Sequence, residues 1–186
     1  VSSGLGVIPR VVSGSRAIYR GKLALAEAEA RIAGYWHPYH RALREMIETT
    51  HAQFGQALLI DCHSMPHEAI EGHLRPGQIR PDVVLGDRFG AAAAPAIMAE
   101  IEAAFTAAGL RVARNTPFAG AFVAQSYGRP SAGRHVVQVE IDRAIYMDEA
   151  RIEPLPRFDA FRHLMAGVIA RIAAIARPDE RALAAE

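Results

Sequence analysis

The run Ala57-Leu58-Leu59-Ile60-Asp61-Cys62 constrains this chain more than any other feature, because it stays apolar without interruption until its polar end. That is the pattern of a short strand buried on both faces, and such a strand needs a covering layer on each side. The flanking sequence predicts helices for that purpose. Residues 22–35 are rich in Ala, Leu and Glu, with Leu25, Ala28, Ile32 and Tyr35 three and four apart, an amphipathic helix pattern. Pro38 is expected to interrupt it, since proline lacks the amide hydrogen that a helix interior uses. A second helix follows over 38–54, with Leu43, Met46 and Ile47 inward and Gly55 where a C-terminal cap falls.

Further along, 82–85 reads as a second strand, 92–108 as a helix with Ile97, Ile101, Ala104 and Phe105 on one stripe, and 135–141 as a third strand. Residues 110–113 and 120–124 read as short strands around a turn at 115–117, and 158–176 as a closing helix. Residues 1–21, rich in Gly and Ser, read as loop with short strand pieces. Strands alternating with helices of this length indicate an α/β sheet covered on both faces. A chain of 186 residues is expected to form one domain, 1–186.

Composition narrows the function classes. With 21 basic and 20 acidic residues the net charge is +1, too little for a broad polyanion-binding surface, so nucleic acid is not an expected partner. Cys62 is the single cysteine, which excludes an intrachain disulfide and four-thiolate zinc sites and fits a reducing compartment. Cytoplasm is the expected location. No run reaches the roughly 18 uninterrupted apolar residues of a spanning helix, so no membrane association is expected. The first residues carry neither an initiator Met nor a signal pattern, and the start reads as internal.

Chemistry is expected at two places. In Asp61-Cys62-His63-Ser64-Met65-Pro66, at the C-terminal end of the best strand, period two puts Asp61 beside His63 and turns Cys62 away. A carboxylate there can fix the tautomer of a zinc-binding imidazole; a polar strand end with a hydrogen-bonded histidine is the plainer alternative. In 136–141, Glu140 interrupts an apolar run, with Gln138, Glu140 and Asp142 on one side and Val137, Val139 and Ile141 on the other. A buried carboxylate must be paired, metal-associated or protonated, and burial raises its pKa toward that of a general base; an edge strand with a solvated face is the alternative. Arg80, Arg88, Arg129, Arg134 and Arg143 lie in loops and strand ends nearby, so an anionic small substrate is plausible, with Tyr127 and Tyr146 as hydroxyl donors. His37 and His40, three apart, have a spacing compatible with shared metal ligation but read more readily as surface or capping residues, and His51, His67, His73, His135 and His163 read as structural. Ser64 lacks a nucleophile elbow, and a buried inert thiol is the expectation for Cys62.

Seven blocks, in order, carry a family resemblance: Gly4-Leu5-Gly6-Val7-Ile8-Pro9-Arg10, Ile18-Tyr19-Arg20, Pro38-Tyr39-His40, the 61–66 block, Asp82-Val83-Val84-Leu85-Gly86-Asp87-Arg88, Pro117-Phe118-Ala119-Gly120, and the twelve residues 138–149. Together they resemble the N-formylglutamate amidohydrolase family, which is similar in fold to the zinc carboxypeptidases and aspartoacylases. The resemblance implies a three-layer α/β/α fold with a mixed central sheet, of the phosphorylase/hydrolase-like type. It implies one zinc ion, with His63 matching a zinc-binding histidine and Glu140 the catalytic glutamate. The implied reaction is hydrolysis of N-formyl-L-glutamate to formate and L-glutamate in histidine breakdown. Arg80, Arg143 and Tyr127 are assigned to the acidic N-acyl substrate. The family's first metal motif and its Asn-Arg pair are absent, so the chain is expected to be the C-terminal two thirds of such a domain. Hydrolysis of another N-acyl amino acid or a short peptide, and a metal-free carboxylate-binding remnant, are the alternative readings. An open sheet edge in a truncated domain is expected to pair with another chain, which makes a homo-oligomer an expectation.

Overall fold

The computed structural model describes residues 7–12, 16–74 and 76–175; Gly4-Leu5-Gly6 of the first block and the end of the closing helix at Ala176 lie outside the described residues. Contacts group the chain into two compact units, Val1–Met46 and Ile47–Glu186. In the first, an isolated antiparallel bridge joins Val11 to Ala17, in keeping with short strand pieces in a loop. Helix α1 (Leu25–Arg31) is followed by a π-helical stretch, Ile32–Trp36, which runs directly into α2 (His37–Phe54). Pro38 therefore does not break the helix, contrary to expectation. Having no amide hydrogen, it forms no bond back to Gly34, and the wider π turn just before it accommodates the ring.

The second unit holds a four-stranded sheet made of β1 (Ala57–Met65), β2 (Val83–Gly86), β3 (Val112–Arg114) and β4 (Arg134–Asp142), in the order β1-β4-β2-β3. β4 runs parallel to β1 and antiparallel to β2, and β2 runs parallel to β3, so the sheet is mixed. A small antiparallel pair, β5 (Met147–Asp148) and β6 (Glu153–Pro154), stands apart from it. Helices α3 (Pro95–Ala107) and α5 (Phe158–Ile175) cover one face. There Val83, Leu85, Val137 and Val139 pack with Met98, Ile101, Phe105, Val168 and Ile172 in the main core. Full burial of each large side chain contributes about 1.5–3 kcal/mol.

The opposite face carries two small apolar clusters instead of one. Ala92, Ala124 and Val136 pack with Leu59 and Tyr127 toward the start of β4, and Met65, Ile70 and Val84 pack together toward its end. Between them lies a stripe of polar side chains. The helix α4 (Phe122–Tyr127) occupies the place where a strand at 120–124 was expected. Both β2 and β4 are already paired on both sides, so the segment instead turns at Gly120 (φ +103°) and lays Val123, Ala124 and Tyr127 against Val136. β4 is an interior strand, not the edge strand that its polar alternation equally allowed.

Candidate active site

β1 is longer than its apolar run: it continues to Met65, so Asp61 and His63 sit in regular strand. Its register with β4 places Asp61 opposite Gln138, His63 opposite Glu140 and Met65 opposite Asp142. Direct partners in a ladder face the same way. The predicted alternation and the register together thus gather Asp61, His63, Gln138, Glu140 and Asp142 on the face away from α3 and α5. On that face His63 Nε2 lies 2.9 Å from Asp61 Oδ1. With Nε2–H donated to that carboxylate, Nδ1 is the nitrogen left for a ligand. The second oxygen, Asp61 Oδ2, is buried without a hydrogen-bond partner among the described residues.

Glu140 is only 8% exposed. Burial pushes its carboxyl above the usual range; the Gln138 hydrogen bond and the charges of His63 and Arg143 oppose that shift, and Asp61 adds to it. Gln138 is itself held. Its Nε2 donates to Glu140 Oε1 at 2.7 Å, and its Oε1 accepts from the Ala121 backbone N–H at 2.6 Å. That backbone can reach the sheet because Gly86, the register partner of Gln138, has no side chain: a Cβ there would meet Gly120 N at 2.5 Å and Phe118 O at 2.7 Å.

The other predicted residues fall at the two ends of this stripe. Arg143 donates from Nε to Ser64 Oγ and from Nη2 to the Ser64 carbonyl, both at 3.1 Å. Its Nη1 lies 4.0 Å from Glu149 Oε1. Arg80 donates to the His67 carbonyl at 2.5 Å and to Glu71 at 3.1 Å, so it braces the 3₁₀ segment His67–His73. Tyr127 lies at the opposite end, against the apolar cluster around Val136. Cys62 is exposed, which corrects the expectation of a buried thiol; it points away from His63, as the alternation predicts. His135 is buried and accepts from the Ala94 N–H at 3.3 Å, a structural role as expected. In the first unit, His40 packs on Trp36 with ring centroids 4.4 Å apart.

One residue read as structural is drawn to this stripe. His67 Nδ1 lies 2.6 Å from Asp142 Oδ2. No ligand spacing marks His67 in the sequence; the only available signal was Asp142, the third polar residue of the alternation. Among the described residues no three of His, Cys, Asp and Glu form a group able to hold a metal ion. His63 and the unpartnered oxygen of Asp61 are two donors where a hydrolytic zinc site uses three protein ligands and water. These residues alone do not make that site.

A mixed α/β sheet whose carboxyl-terminal strand ends carry a buried glutamate and an oriented histidine is a hydrolase-type arrangement. Residues 1–147 match the family model for N-formylglutamate amidohydrolase, and the chain belongs to that family. It is 38% identical over 147 residues to N-formylglutamate deformylase of Pseudomonas aeruginosa, and 31% identical over 147 residues to that of Pseudomonas putida. Each alignment covers 77% of this chain and 54% of the relative, so the chain spans about half the length of the curated relatives it matches. The crystal structure of N-formylglutamate amidohydrolase from Ralstonia eutropha JMP134 superposes with a TM-score of 0.83 at 34% identity, over 94% of this chain and 62% of that one. No helix among the described residues is long and apolar enough to cross a membrane.

Proposed function

We propose that this chain carries the catalytic strand pair of an enzyme that hydrolyses N-formyl-L-glutamate to formate and L-glutamate, a cytoplasmic step of histidine degradation. The observation that supports it most is the placement of His63 directly opposite a buried Glu140 on one sheet face. Glu140 acts as general base and acid. Its carboxylate takes a proton from water as the water oxygen bonds to the formyl carbon, and returns that proton to the amine nitrogen as the C–N bond breaks. Gln138 holds Oε1 of this carboxylate and so leaves Oε2 for the water. Arg143 and Arg80 supply positive charge for the substrate's carboxylates, and Tyr127 a hydroxyl at the other end of the stripe. Zinc belongs to this proposal for the whole enzyme, with His63 its ligand from this chain; the described residues do not complete the site. β1 forms an outer strand of the described sheet, which supports self-association along that edge.

The test is release of the free amino acid by the whole zinc-loaded enzyme that contains this chain, from N-formyl-L-glutamate compared with N-acetyl-L-glutamate and N-formyl-L-methionine. Preference for N-formyl-L-glutamate is expected. Equal turnover of all three, or no turnover of N-formyl-L-glutamate by the zinc-loaded whole enzyme, overturns the reading.

A further inference from the structure

His67 stands four residues past His63, where the backbone has left β1, and three bonds determine its position. Its N–H donates to Glu149 Oε2 at 2.9 Å, its carbonyl accepts from Arg80 at 2.5 Å, and its ring Nδ1 lies 2.6 Å from Asp142 Oδ2. Asp142 is 3% exposed, and its other oxygen accepts from the Ala144 N–H at 3.0 Å. The imidazole is therefore clamped at one nitrogen by a buried, fully engaged carboxylate. Its side chain is nonetheless 44% exposed, so the ring is anchored on its Nδ1 side and open elsewhere.

We propose that His67 is a substrate-binding residue whose Nε2–H, together with Arg143 Nη1, receives the side-chain carboxylate of an acidic N-formyl amino acid whose formyl group lies at Glu140. This rests on the reaction proposed above. Asp142 follows Glu140 by two residues on the same strand face, a step of about 6.6 Å along the strand. The five bonds from the formyl carbon to the side-chain carboxyl carbon of N-formylglutamate span about 6 Å when extended. The two lengths agree, which supports placing the distal carboxylate at the Asp142–His67 pair when the formyl carbon lies at Glu140. The neighbouring groups permit a receptor there. Asp142 holds the Nδ1 side of the His67 ring, Glu71 engages Arg80, and Arg143 keeps Nη1 at 4.0 Å from Glu149, short of a direct bond.

The test pairs kinetics with binding. For H67A, KM for N-formyl-L-glutamate is expected to rise about 10- to 100-fold, the loss of a charge-assisted hydrogen bond, with a far smaller change in kcat. H67Q, which restores a donor, is expected to recover part of the loss, and KM for N-formyl-L-glutamine is expected not to follow the same trend. Calorimetric titration of the wild-type chain with glutarate, against H67A and D142N, supplies a readout that needs no turnover. Loss of glutarate affinity in both variants supports the assignment. Glutarate binding that is absent in the wild-type chain or indifferent to H67A overturns it, as does an equal KM rise for both formyl substrates. A zinc-loaded whole enzyme that binds glutarate through His67 but releases no formate refutes the reaction and leaves this assignment standing.

Discussion

His63 and Glu140 are register partners across the parallel β1/β4 ladder, on the sheet face opposite α3 and α5. A slip of one residue in that ladder would send one of them to the other face. The register is held by apolar neighbours on the covered side, where Ile60 pairs with Val137 beneath the main core. The same packing that stabilises the sheet therefore aligns the polar pair above it.

E140Q is expected to separate stability from turnover. In the unfolded chain Glu140 ionises at its ordinary value, and in the fold burial raises that value. Between the two, the folded chain binds the extra proton, so wild-type stability falls as pH rises through the window and is fully present below it. The glutamine variant keeps an oxygen to accept the Gln138 N–H but carries no charge. It should melt higher than wild type at about pH 7 and match it below the carboxylate range, while formate release drops about 10²- to 10⁴-fold. Melting curves of both proteins across pH decide this; parallel pH dependences would contradict the burial argument.

Q138L removes both ends of a relay. The Ala121 N–H loses its acceptor and Glu140 loses its donor, at an expected cost of about 1–3 kcal/mol in denaturant unfolding. Because the Gln138 bond opposes the upward push on Glu140, its loss should move the acid limb of the pH–rate profile to higher pH. A limb that stays in place would show that Gln138 does not tune the base.

At Gly86, alanine should disturb the site from a distance. Its Cβ would collide with backbone atoms of Phe118, Ala119 and Gly120, which cannot yield as a flexible side chain would. A loss of about 1–3 kcal/mol is expected, together with reduced formate release as Ala121 is pushed off Gln138. G21A is the control: nothing lies within 4 Å of a Cβ there, and its stability should stay within about 0.5 kcal/mol of wild type. Thermal melts of the two variants side by side test the difference.

Local pattern holds wherever one element decides. The alternation of Gln138, Glu140 and Asp142 against Val137, Val139 and Ile141 is visible in the chain and present in the fold, since period two is a property of a single strand. Asp61 beside His63 follows for the same reason. Where two elements compete, local pattern misled. Residues 120–124 have strand-forming composition, yet the ladders of β2 and β4 are full and the segment coils against Val136 as α4. Pro38 signals a break, yet a π turn absorbs it.

By itself the sequence determined the class of fold, the faces of β1 and β4, and the two side chains on which the proposed chemistry turns, because burial periodicity and motif order are written along one strand at a time. Only the tertiary structure decided that His63 stands opposite Glu140, that β4 lies inside the sheet, and that His67 meets Asp142 across 75 residues of chain. Those outcomes depend on which strands pair and in what register, and that is settled by the packing of the whole core rather than by any short stretch of residues.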